Sequence, residues 1–465
     1  MPNQLAPSKI TFIDTALLKR LALLAAPMAL QNVISFSVGL TDNLMVGSLG
    51  EYALSGVFVA NQIQNLLNML VIGLSAAMMV LANQFWGIKD ALRVRSIVGM
   101  TLLFGLAVGG IIFAWALIAP ESILRLFSND PGLMPEAMRY YTVVRFTYLF
   151  YCTTQVLIAS MRVVERVRVG MYLSMATFCV NIFLNWVFIF GNLGAPALGV
   201  QGAAIATLSV RIMECLIMIV YVRFFDDRLK IRLANLFRPD KELIYRYFRY
   251  GMPVIVGDIT WGINLAVRGG IIGRLGAAAT AAVSISTIIF QMTGVLIYGS
   301  AGATAIIIGQ TVGTGDVEKV KHYARHLQRI YVVLGVFSGL VFWFIREPVM
   351  LLYNLSPEAK DLALRMMGVL SVTIVGTAYQ MSCLTGIVRA GGATHFVLVN
   401  DLIHIWGFVM PASMLAAFYF RADPVIVFAL LKSDQVLKCI VAFIVVNRFK
   451  WIKNLTKDEK KPAAA

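Results

Sequence analysis

The chain has 465 residues, of which 59% are hydrophobic and 14% charged, and its formal net charge is +16. Ordinary soluble domains carry roughly 25% charged residues, so this chain cannot cover a water-facing surface of normal size and must turn apolar surface toward lipid. The positive balance does not point to nucleic acid, because the basic residues sit between or beyond the apolar stretches, where the positive-inside rule places them.

Crossing a hydrocarbon core of roughly 30 Å takes about 20 helical residues. Leu21 to Thr41 is the first such run. It follows Lys19 and Arg20 directly and is read as a span, not as a cleavable leader. Tyr52 to Ile88, Ser96 to Pro120 and Val169 to Val210 follow, the last long enough to enter a second helix. Leu275 to Gly315 and Met366 to Val388 repeat the pattern later, and shorter or singly charged spans near 140–161, 200–222, 250–273, 330–345, 396–420 and 424–447 complete it. A transmembrane barrel would show alternating segments of about ten residues instead. The expected fold class is therefore all-α integral membrane, with about twelve transmembrane helices.

Counted by connection, 28 Lys and Arg residues fall in the termini and after every second span, against 7 in the opposite set. Both termini are expected to be cytoplasmic. The five cysteines, Cys152, Cys179, Cys215, Cys383 and Cys439, are scattered within spans without metal-ligand spacing and read as small apolar filler.

Shifting the chain by 226 residues places Pro27 on Pro253, Gly47 on Gly273, Gly50 on Gly276, Gly73 on Gly299, Gln84 on Gln310, Gly87 on Gly313 and Asp90 on Asp316. Apolar matches would arise by composition, but Pro, Gln, Asp and turn glycines in register imply two homologous halves. With six spans in each, an even number, the halves enter the membrane in the same orientation, as two six-helix parallel repeats. The domain reading is a first lobe at 1–222, a cytoplasmic linker at 223–249 that contains FFDDRLKIRLANLFRPDKE, a second lobe at 250–447 and a cytoplasmic tail at 448–465. The tail is expected to be disordered.

Three stretches carry a family resemblance. NIFLNWVFIFGNLGAPALGVQGAAIAT (Asn181 to Thr207) is similar to the fifth and sixth helices of the MATE (multidrug and toxic compound extrusion) transporters, with their glycine-rich connection. Pro27 followed by Asp42 and MVGSLG resembles the family's first-helix pattern, and LTGIVRAGGAT (Leu384 to Thr394) the cytoplasmic end of its tenth helix. The resemblance covers nearly the whole chain. It implies a V-shaped, two-lobe transporter in a bacterial cytoplasmic (inner) membrane, exporting organic substrates by alternating access against an inward proton or sodium flow. No G-x-x-x-x-G-K-[ST] motif occurs, so ATP is not an expected ligand.

Ionisable groups at bilayer depth cost several kcal/mol and mark functional sites by default. Asp42 is the first: a desolvated carboxylate can take a proton near neutral pH and lose its charge, unless span 1 ends near Thr41 and leaves Asp42 at the outer interface. Asn181 and Asn185, four residues apart, share a helix face and can turn amide groups toward Asp42 or glue helices together. The proton-coupled archaeal branch of the family carries an aspartate where Asn185 stands. In the second lobe, the acids of sodium-coupled members fall on Trp261 and Ala378, so a sodium site of the family type is expected to be missing there. That lobe offers Asp258, Arg268, Asp401 and His404 as a polar network, with Arg268 at the repeat position of Asp42. Arg268 reads either as a tethered cation paired with Asp401 or Asp258, as a contact for an anionic substrate group, or as a structural or interfacial arginine. Arg145, the Arg211–Glu214 pair and Lys432, Asp434 and Lys438 read as structural pairs, and His322 with His326 as a solvated face.

The function expected is that of an antiporter for lipophilic organic compounds, coupled to H+ in preference to Na+, with Pro27 as hinge because a proline lacks one backbone bond. The alternative is a flippase for lipid-linked oligosaccharide, which the arginines Arg145, Arg211 and Arg268 would suit. No enzyme constellation, resident metal or cofactor is read, and the chain is expected to work as a monomer whose partners are small organic molecules and membrane lipids, not nucleic acid. The topology is testable: a single cysteine at Lys241 in a cysteine-free background should react with an impermeant maleimide only from the cytoplasmic side. Labelling from the outer face alone would invert the orientation.

Overall fold

The computed structural model describes residues 14–128, 130–231, 241–351, 353 and 356–457. Among them there are helices and no strands. The first half contains α1 (Thr15–Gly47), α2 (Glu51–Gly87), α3 (Ala91–Ile118), α4 in two pieces (Met134–Val144 and Thr147–Val163), α5 (Val167–Phe190) and α6 (Val200–Phe225). The second contains α7 (Lys241–Gly273), α8 (Ala277–Thr314), α9 (Val317–Met350), α10 (Pro357–Arg389), α11 (Thr394–Tyr419) and α12, again in two pieces (Pro424–Lys432 and Asp434–Arg448). Ten of these helices are long and apolar enough to span singly. Those two in pieces, α4 and α12, complete the twelve, being interrupted at Arg145–Phe146 and at Ser433.

The duplication is visible in backbone geometry. Gly50 (φ 115°, ψ 172°) starts α2 and Gly276 (φ 106°, ψ 167°) starts α8 in the same conformation, one essentially restricted to glycine. Asp90 accepts the Arg93 amide at 3.0 Å to start α3, and Asp316 accepts the Lys319 amide at 3.0 Å to start α9, each satisfying an otherwise unpaired first-turn donor. The residue before each cap is left-handed: Lys89 (φ 62°) in one half, Gly315 (φ 80°) in the other. Packing repeats too. In the first half α4 lies against α2, α3 and α6, and α5 against α6; in the second α10 lies against α8, α9 and α12, and α11 against α12.

Contacts divide the chain into two compact units, one of residues 1–29 with 266–454, the other of residues 30–265 with 455–465. Both divisions fall inside helices, in α1 between Ala29 and Leu30 and in α7 between Leu265 and Ala266. Helical backbone runs through Pro27 in α1 and Pro253 in α7, although each proline removes one i to i−4 bond. Pro27 is buried and lies two residues before the division of α1.

At the start of α1, Asp14 Oδ1 accepts the amides of Ala16 (2.9 Å) and Leu17 (3.1 Å), its Oδ2 lies 3.1 Å from His322 Nε2, and its own amide donates to His326 Nδ1 at 3.2 Å. The Leu17 amide above all, with His322, holds the Asp14 carboxyl below its usual range. His326 is 8% exposed, so the histidine pair is not simply a solvated face but a tie from α9 to the start of α1. The tail also departs from expectation. Through Lys457 it is ordered: Trp451, 2% exposed, lies over Gly391, where a side chain would collide with the indole, and donates its Nε1–H to the Val446 carbonyl at 3.0 Å. In the other unit Leu455 is buried, and its amide reaches Gln84 Oε1 at 2.7 Å. Two apolar side chains with satisfied backbone overcome a charged local composition. Residues 458–465 of the tail and 232–240 of the linker lie outside the described residues.

The glycine geometry gives a stability test. Gly276→Ala meets no neighbouring atom within 4 Å, so its cost is backbone strain alone, about 1–3 kcal/mol. Thermal unfolding in detergent should register that loss for Gly50→Ala and Gly276→Ala, whereas Gly269→Ala, in an open helical position, should change little.

Candidate ion and substrate site

In the unit of residues 30–265, α1, α4, α5 and α6 bring polar groups together. Asn181 and Asn185 stand one turn apart on α5 and are 2% and 1% exposed. Asn185 Nδ2 donates to Asp42 Oδ1 at 2.6 Å and to Asn181 Oδ1 at 3.3 Å. The three residues singled out in the first lobe thus meet. Asp42 is half-buried, and the carbonyl oxygen of Asn185 is a buried acceptor without a partner among the described residues. Tyr140 of α4 lies near Asp42, and its hydroxyl is met by Asn61 of α2 and Thr207 of α6.

A second group lies behind it. Arg211 Nη1 is 2.8 Å from Glu214 Oε2, one turn on along α6, and Thr177 of α5 donates its hydroxyl to Glu214 Oε1 at 3.1 Å. The Arg211 guanidinium lies 5.0 Å from the centre of the Tyr151 ring, and the Tyr151 hydroxyl donates to Asn68 of α2. Elsewhere in this unit Arg162 donates to Gln31 Oε1 at 2.8 Å, and a side chain at Gly170 would press on that amide at 3.0 Å. Arg145, at the break in α4, donates to the Ala116 carbonyl at 3.0 Å.

The other unit holds a different arrangement. Arg268 of α7 pairs with Asp434 of α12 at 3.2 Å, where the sequence had offered Asp401 or Asp258 as its partner. Asp401 of α11 goes to Lys438 of α12 at 2.6 Å, and Lys438 also lies 3.8 Å from Asp434. Gln435 donates to Asp434 Oδ2 at 2.7 Å and accepts from Thr377 and Gln380 of α10. The His404 ring meets the Asn400 carbonyl at 2.8 Å, one turn back on α11. Asp258 belongs to the unit of residues 30–265, against Gly73 of α2, so the four residues grouped from the sequence are divided. What the sequence set aside, Asp434 and Lys438, forms the centre of the network: Asp434 is 0% and Lys438 3% exposed. Their i, i+4 spacing was legible; the helices facing them were not.

Chemically, the first cluster offers a carboxylate and amide oxygens, hard donors suited to a proton or to a small cation. The second is already neutralised, two carboxylates by two tethered cations. Among the described residues no group of three or more His, Cys, Asp or Glu could hold a metal ion.

The MatE family model matches twice, over residues 27–187 and 253–415, one match to each repeat. The chain belongs to the MatE family. MatE relatives include the multidrug resistance protein MdtK of Pectobacterium atrosepticum, 27% identical over 404 residues, which are 86% of this chain and 87% of the relative. The probable multidrug resistance protein NorM of Thermotoga maritima is 24% identical over 451 residues, 95% of each. In fold, the chain is similar to a crystal structure of a MATE protein in its straight conformation (TM-score 0.84, 19% identity, 93% of this chain and 96% of the other). The Vibrio cholerae MATE transporter VcmN in its bent form is similar as well (TM-score 0.83, 16% identity, 94% and 97%).

The second cluster predicts a stability effect unlike that of a surface pair. Asp434→Asn should take the carboxylate from buried Arg268 while Lys438 keeps Asp401, and breaking such a buried pair costs about 3–5 kcal/mol. Detergent-solubilised Asp434→Asn protein should unfold at clearly lower temperature, and the double variant Arg268→Met with Asp434→Leu should recover much of the loss. An unchanged melting curve for Asp434→Asn would show that water compensates the Arg268 charge.

Proposed function

We propose that this MatE protein exports lipophilic, often cationic, organic compounds across a bacterial inner membrane by alternating access, in exchange for protons. The observation that carries the reading is the half-buried Asp42, held by the Asn185 amide, which also donates to Asn181, and without a direct cationic partner among the described residues. A carboxylate so placed is neutralised by a proton or by a cationic substrate, and the two compete. The names of the relatives, multidrug resistance proteins, supply the substrate class.

Asn185 suits both protonation states. Its NH2 donates to the ionised carboxylate, and its carbonyl, unpartnered now, can accept from the acid after an amide flip. Loss of charge on Asp42 would loosen the cluster and allow α1 to bend near Pro27, where one helical bond is already missing. Sodium is the second choice of ion. The oxygens of Asp42, Asn181 and Asn185 could ligate it, but the neutralised cluster around Asp434 offers it no excess negative charge. Both termini are placed in the cytoplasm on the Lys and Arg distribution.

Everted vesicles test this. Imposed proton gradients should drive uptake of a cationic dye at rates independent of sodium concentration. Asp42→Asn should insert and fold yet lose gradient-driven transport by at least tenfold, since the amide mimics the protonated acid but cannot cycle. Wild-type transport by Asp42→Asn would remove Asp42 from the coupling step.

A further inference from the structure

We infer that Glu214 is a second functional acid of this site, and that it acts through Arg211, a positioning residue that sets the net charge met by the proton and the substrate at Asp42. This rests on Asp42 being the exchange site.

The argument starts from charge. Arg211 and Glu214 could be an ordinary i, i+3 pair that stabilises α6 by a few tenths of a kcal/mol. Three observations separate them from such a pair. Glu214 is 9% exposed, and its second oxygen is engaged from another helix by Thr177. Arg211 lies over the Tyr151 ring of α4, whose hydroxyl is itself held by Asn68 of α2, so the guanidinium is fixed by its own helix and by α4. Thr177, which holds Glu214, and Asn185, which holds Asp42, lie eight residues apart on one buried face of α5, so that helix ties the Arg211–Glu214 pair to Asp42.

The other described groups at Asp42 are neutral: Asn185, which bonds it, and Tyr140, with Asn181, Asn61 and Thr207 as the partners of those two. Arg145 donates to the Ala116 carbonyl and Arg162 to Gln31. With both acids ionised, Asp42, Glu214 and Arg211 together carry one negative charge. One proton cancels it, and so does one monovalent organic cation. Were Arg211 not held by Glu214, it would be free to neutralise Asp42 directly, and the site would keep no charge for either ligand. Glu214 therefore keeps the site anionic by occupying Arg211, and Arg211 prevents two uncompensated acids from being proton-locked at neutral pH.

The test is binding of tetraphenylphosphonium, a monocation, to purified protein in nanodiscs as a function of pH. Wild type should bind more tightly as pH rises through one midpoint. Arg211→Gln leaves two acids uncompensated, so its midpoint should move up by about one pH unit, the scale on which a nearby charge acts, and its affinity above the midpoint should rise. Glu214→Gln leaves the site neutral, so its midpoint should move down by a similar amount and its affinity above the midpoint should fall. The double variant restores the single negative charge and should return toward the wild-type midpoint, as should Arg211→Lys. Equal losses of thermal stability in both single variants with unmoved midpoints would overturn the proposal and leave only a helix pair. Asp42→Asn separates the two readings: if it still binds with the wild-type pH dependence, the assignment of Asp42 has failed; if it binds independently of pH while Arg211→Gln and Glu214→Gln do not shift, the role of Glu214 has.

Discussion

An ion at the depth of these helices has lost most of its hydration, and the interior returns that free energy only through partners of good geometry. This constraint decides where polar residues of the chain can stand. Asp434, with no exposed surface, is met by Arg268, Lys438 and Gln435; Glu214 is met by Arg211 and Thr177. Asp42 is the exception, half-buried and bonded directly to an uncharged amide. The exchange proposed for Asp42 rests on that difference: its direct partner is an uncharged amide, whereas Asp434 and Glu214 are bonded to tethered cations.

The two repeats solve the same problem differently. Position 42 carries the acid in the first repeat, and its equivalent, 268, carries an arginine in the second. Around Arg268 the charges close on themselves across α7, α11 and α12. Around Asp42 they do not. Symmetry of backbone, kept at Gly50 (φ 115°, ψ 172°) and Gly276 (φ 106°, ψ 167°), thus coexists with asymmetry of charge.

Much of this was legible in the sequence, for physical reasons. Spans are legible because lipid demands long uncharged helices, and the repeat because glycines and caps at 50, 90, 276 and 316 are required by backbone geometry that any homologous half must reproduce. Asn181 and Asn185 could be placed on one face by helical period alone. Interhelical partners could not be placed, since they depend on the rotation and crossing of helices far apart in sequence. Arg268 was therefore offered Asp401 or Asp258 and is paired with Asp434. The order of the tail was hidden for a similar reason: Trp451 is an isolated aromatic in a basic stretch until Gly391 gives it a seat.

The divisions inside α1 and α7 bear on how such a chain could arise. Each compact unit takes the opening segment of its first helix from the other repeat, residues 1–29 in one case and the first part of α7 in the other. An exchange of the opening helix segment between two like halves has the form of a domain-swapped pair. The duplicated gene then reads as a covalently fused homodimer, and fusion freed each copy to keep a different charge at the position shared by Asp42 and Arg268.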